Sequence, residues 1–170
     1  IETVRGKGFR LIGGVDSAPL NGHSAAGTMK PIIAVLPIGS HAEDPRVMDA
    51  CERLAETIVG GLAAHRDVEV VSRRSTLAID PACDIREAAR RLSADYLVEG
   101  SLDFAEPDIC GFFHLIDGRT GRHIWAQRLD VPKRDDLPDF EALGHKVVNA
   151  LAGWHGELHL AEFRTASRKS

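Results

Sequence analysis

Aromatic residues make up only 5% of this 170-residue chain, and there are three cysteines. A chain so poor in aromatics, yet 44% apolar overall, has to build its core from aliphatic side chains. Cys51, Cys83 and Cys110 lie far apart with no CxxC pair, which argues against a disulfide framework or a zinc ribbon. They read as small buried apolar side chains in a reducing cytoplasm. No apolar run reaches the roughly 18–20 residues that a membrane-spanning helix needs, so no membrane contact is expected. No basic-then-apolar leader opens the chain, whose first residue is not Met, and its start is read as a cut in a longer protein. Phosphate-cradling GxxxxGK[ST], the GxSxG elbow and HExxH are all missing. The expectation is a chain without cofactor or metal and without catalysis of its own. A net charge of −4 argues against nucleic-acid binding by the chain as a whole.

What is present is an alternation of strands and helices. "PIIAVLP" (31–37) is a continuous apolar run between prolines, as in a strand covered on both faces. Asp44 and Pro45 open a helix reaching to about Ala64. Its stripe of Val47, Met48, Cys51, Leu54, Ala55, Ile58, Val59 and Leu62 faces a sheet. "VEVVS" (68–72) is the second strand, and Asp84 with Glu87 caps a helix over 84–92. "DYLVEGSL" (95–102) is the third strand. "ICGFFHLI" and "RHIWAQRLD" are joined by the turn "DGRTG" as an antiparallel hairpin, in which Phe113 and Trp125 are read as core. Phe140, Leu143, Val147, Leu151, Trp154 and Leu158 then mark a final helix, weakened by Gly144, Gly153 and Gly156. The tail "FRTASRKS" is basic and polar.

Candidate chemistry is sparse. Strand ends in an open parallel sheet form a ligand rim. Ser40 and His41 after the first strand, with Ser72, Arg73, Arg74 and Ser75 after the second, are therefore the candidate rim for an anion or small ligand, against the simpler reading of a solvated loop. His114 and His123 flank the hairpin turn as cross-strand neighbours, read as packing. "HGELH" puts His155 and His159 on one helical face, but no third ligand accompanies them. "KRDDLPD" (133–139) reads as a solvated loop leading into a helix cap.

The opening residues "IETVRGKGFRLI" resemble the C-terminal wing of the OmpR/PhoB-type winged-helix DNA-binding domain, with Phe9 in place of the usual Tyr. Gly6 and Gly8 permit the tight turn. Arg5, Lys7 and Arg10 would be the DNA-contacting residues, suited to phosphates or a minor groove. The resemblance implies that the rest of that domain lies upstream, so that DNA is a partner of the intact protein and not of this fragment alone.

A second resemblance covers about 31–154. "IAVLPIGS", "VEVVSRRST", "IREAARRLSADYLVEGSL" and "FFHLIDGRTGRHIWAQRLD" are similar to the blocks of a TolB-N-terminal-like domain of bacterial regulators and some adenylate cyclases. Ile38 and Leu129 depart from the usual Phe and Tyr. This resemblance implies a three-layer α/β/α domain with a five-stranded mixed sheet in the order 2-1-3-4-5. The expected organisation is a wing hairpin (1–11), a flexible linker (12–30), the α/β domain (31–155) and a helical tail (156–170) toward possible downstream repeats. The expected function is the regulatory domain of a cytoplasmic transcription regulator, contacting a protein partner of unspecified identity in an unspecified oligomeric state. The alternatives are a small-ligand or nucleotide sensor, or a TolB-like complex-assembly module without DNA binding.

Overall fold

A computed structural model describes residues 2–3, 9–10, 30–42, 44–104, 109–134, 137–152, 157–158 and 161. The elements run β1 (Glu2–Thr3), β2 (Phe9–Arg10), β3 (Ile32–Val35), β4 (Gly39–Ser40), α1 (Pro45–Ala63), β5 (Glu69–Val70), α2 (Arg73–Leu77), α3 (Ile85–Leu92), β6 (Tyr96–Asp103), β7 (Cys110–Asp117), β8 (His123–Asp130), β9 (Lys133–Arg134), β10 (Leu137–Pro138) and α4 (Phe140–Ala152). β1 and β2 pair antiparallel, Glu2 opposite Arg10, and β9 and β10 form a second short ribbon. The expected linker lies outside the described residues except for Lys30.

The main sheet has the order β5-β3-β6-β7-β8, with β4 also paired to β6. Counted in chain order without β4, this is the 2-1-3-4-5 order expected from the sequence. The sixth strand arises from a break in one column. Pro37 has no N–H to give a neighbour, so the run that begins as β3 stops after Leu36, whose N–H donates to the Val98 carbonyl at 2.9 Å. The chain rejoins β6 as β4, with Gly39 beside Ser101 and Ser40 beside Leu102. β3 pairs parallel with β5 and β6, and β6, β7 and β8 pair antiparallel.

The alternation along β3 builds two cores. Ile33 and Val35 point into the larger one, with Leu54, Ile58 and Leu62 of α1 and Leu143, Val147 and Leu151 of α4. Ala34 points into the smaller one, with Leu97 of β6 and Ala88 and Ala89 of α3. This gives three layers: α1 and α4, the sheet, then α2 and α3. Phe113 is fully buried, while Trp125 is half-buried against the larger core. Leu158 and Ala161 also pack into the larger core. Trp154 lies outside the described residues.

Local chemistry sets the boundaries. Asp44 caps α1 by accepting from the Arg46 N–H, and Asp84 caps α3 by accepting from Arg86 and Glu87. α3 stops at Ser93, which adopts the left-handed conformation (φ 51°). In the β7–β8 turn, the Asp117 carboxylate accepts from the Arg119 and Thr120 N–H groups at 2.9 Å each. Gly121 takes a positive φ of 69° there. The "SRRS" segment, expected to be a loop, is instead the start of α2, because the Ser72 hydroxyl accepts from the Ser75 N–H at 3.3 Å.

Candidate functional site

Met48 and Leu77 are the most exposed large hydrophobic residues described, at 63% and 54%. Both line one cleft of about 380 Å³ at the C-terminal end of the parallel strands, between the start of α1 and the end of α2. Ile38 and Ala42 add apolar wall, and Glu52 and Arg73 stand at its edge. Cys51 closes the floor. Burial pushes its thiol pKa up, and the Sγ–H donates to the Gly39 carbonyl at 3.7 Å. A thiol so placed is a packing group and not a nucleophile.

Met48 was expected in the core stripe of α1 but is exposed. Val47, Ala50, Cys51, Leu54, Ala55, Ile58 and Leu62 already fill the buried face. Met48 falls at the edge of that face, about 20° beyond Ala55 around the helix, and stands in the first turn of α1, where it lines the cleft. Of the six expected rim residues, Ser40 and Arg73 line this cleft. The Ser40 hydroxyl accepts from the Ala42 N–H at 3.2 Å. Ser72 and Ser75 are occupied with each other at the α2 cap, their hydroxyls 2.9 Å apart. His41 and Arg74 are exposed and line neither this cleft nor the next. Sequence reasoning missed Leu77, because α2 is too short to show a period.

A second cleft, of about 340 Å³, lies across the Pro37–Gly39 break on the α2/α3 face. Ile79, Pro81 and Ile85 give it an apolar wall, and Asp80, Glu99 and His114 give it polar groups. Next to it the rings of His114 and His123 meet edge to face, at an interplanar angle of 76° and 4.9 Å between centroids. They are neighbours as expected, though not directly opposite. A bulge beside Leu115 and Ile116 sets His123 opposite Ile116 and His114 opposite Ala126. Among the described residues no group of three His, Cys, Asp or Glu side chains is assembled to hold a metal. His155 and His159 lie outside them, as do Arg5 and Lys7. Arg10 is placed in β2. Among the described residues no helix is long and apolar enough to cross a membrane.

Fold and clefts together define a three-layer α/β domain with an apolar notch at its strand ends. No family model matches the chain. It is 34% identical over 123 residues to "Putative adenylate cyclase 3" of Rhizobium meliloti (strain 1021), a match covering 72% of this chain and 21% of that protein. The chain thus spans about a fifth of that relative. Its fold is similar to a lipoprotein of Neisseria meningitidis (TM-score 0.51, 13% identity, 73% of this chain and 98% of that one). It is similar also to TolB of Acinetobacter baumannii (TM-score 0.50, 17% identity, 73% of this chain and 29% of that one).

These findings correct the OmpR/PhoB-type transcription-regulator reading, and with it the assignment of DNA as partner. The similarity in fold is to a lipoprotein and to TolB. The physical reason for the error is the small size of the motif. A basic, glycine-punctuated hairpin of about ten residues satisfies general turn chemistry as well as it satisfies a wing. The antiparallel pairing of β1 with β2 is common to both.

Proposed function

We propose that this chain is a protein-interaction module of the TolB-like assembly kind, working without DNA binding and without catalysis of its own. The observation that carries the reading is the convergence of Met48 and Leu77, both largely exposed, on one cleft. Isolated exposed apolar residues need no explanation, but two that line one concave site beside a charged rim mark a contact surface. Met in particular adapts to varied apolar partners. The partner chemistry that fits is an apolar side chain of another protein, with polar groups able to meet Glu52 and Arg73 at the edge. The likeness in fold to TolB supports the reading. Three unpaired thiols, two of them buried, suit a reducing compartment, so the cytoplasm is the proposed location.

The test is site-specific photocrosslinking in the native cell with a benzophenone amino acid. It is placed at Leu77 and, separately, at the exposed Arg66 beyond the far end of α1. Position 77 is expected to give a discrete adduct with one protein, abolished by Met48→Glu, and position 66 is expected to give none. The same adduct from both positions, an adduct indifferent to Met48→Glu, or none from position 77 would reject the cleft as the contact surface.

A further inference from the structure

The Nδ1 atoms of His114 and His123 lie 3.1 Å apart. We infer that this pair is a two-point binding site for a borderline divalent transition ion such as Zn²⁺, held by Nδ1 of His114 and Nδ1 of His123. Imidazole nitrogens bind Zn²⁺ at about 2.0–2.1 Å. Two of them 3.1 Å apart then subtend about 95–102° at the ion, between the octahedral and tetrahedral angles. The spacing of the pair therefore matches the bite of one metal.

The surroundings favour a cation. Glu99 is opposite His114 in the β6–β7 register, and Glu99 and Asp80 line the adjoining cleft, whose lining contains no Lys or Arg. These carboxylates supply field and not bonds, since no third ligating side chain joins the pair among the described residues. Water fills the remaining positions. Without metal, one Nδ1–H donates to the other ring's Nδ1. With metal bound, both rings are neutral and carry their proton on Nε2, so one ring changes tautomer. Because both rings must be neutral, binding weakens as pH falls. The bulge between Leu115 and Ile116 is the structural device, since it brings two residues that are not register partners into contact.

The test is a Zn²⁺ titration of the chain followed by two-bond ¹H–¹⁵N spectra of the imidazole rings. The background carries His155→Ala and His159→Ala, which removes the other histidine pair in the sequence. The expected result is that the Nδ1 resonances of His114 and His123 move together, with one midpoint and one ion per chain. His123→Ala, at an exposed position, is expected to weaken binding to His114 about a hundredfold, the loss that follows when a second tethered contact is removed. An unchanged backbone amide spectrum confirms that the variant is folded. If the two rings titrate with separate midpoints, if His114 keeps its affinity in His123→Ala, or if neither ring moves, the site is refuted.

Discussion

Gly60 and Gly61 are neighbours on α1 and have opposite surroundings. A Cβ added at Gly60 meets nothing within 4 Å, whereas one added at Gly61 falls 2.6 Å from Val148 Cγ2 on α4. Both positions are helical, so alanine brings each the same backbone benefit, about 0.5–1 kcal/mol. At Gly61 that gain is opposed by an overpacking cost of about 1–3 kcal/mol. Gly60→Ala should therefore be more stable than the parent chain, and Gly61→Ala less stable than Gly60→Ala by about 1–3 kcal/mol. The propensity term cancels in that difference, leaving the helix–helix contact. Urea unfolding followed by far-ultraviolet circular dichroism measures it. Val148→Ala makes room for the added methyl, so the double variant Gly61→Ala/Val148→Ala should be more stable than the sum of its parts by about 0.5–3 kcal/mol. Equal stability of Gly60→Ala and Gly61→Ala, or strict additivity with Val148→Ala, would refute the close α1–α4 approach.

Two further outcomes follow from the α3 segment. Ser93 ends α3 in the left-handed conformation, so Ser93→Gly should stabilise by about 1 kcal/mol in the same unfolding experiment. Glu87 pairs with Arg90 and, at 2.9 Å, with Arg91, and these hold its carboxyl below its ordinary value of 4.5. Folded Glu87 thus gives up its proton more readily than the unfolded chain does, so its stabilising contribution is present above pH 4.5 and fades as pH falls through the lower folded value. Unfolding of Glu87→Gln should vary less with pH below that point than unfolding of the parent chain, and salt at about 0.5 M should shrink the difference, because these charges are exposed.

The regular part of this fold was legible because its signals are long. The nineteen-residue α1 shows several turns of apolar period, and the β7–β8 hairpin announces itself by alternation around a glycine-bearing turn. Short elements carry no such signal. β4 and α2, of two and five residues, depend on a neighbouring strand and on one serine hydroxyl, and neither produces a period. Gly144 read as a weakness in α4, yet a Cβ there would fall 2.6 Å from Thr57 Cγ2, so the residue exists for a helix contact that sequence alone does not display. The candidate site was half legible for the same reason. The strand-end rule found Ser40 and Arg73, but Met48 was absorbed into a stripe that had no room for it. Leu77 depended on a helix that was not foreseen.

Unequal helix cover explains why the second cleft lies where it does. α1 and α4, of nineteen and thirteen residues, are about 28 and 20 Å long. They shield their face of the sheet so well that Phe113 and Leu115 are fully buried there. α2 and α3 have five and eight residues, about 8 and 12 Å, too little to cover β6, β7 and β8 as well. On that face Phe112 is left 36% exposed beneath the Arg128 guanidinium, 6.0 Å from the ring centroid. The strand column itself breaks at this end of the sheet, and Pro37 and Gly39 line both clefts. The stretch from Leu77 to Asp80 stands between them, with Leu77 on the first and Ile79 and Asp80 on the second.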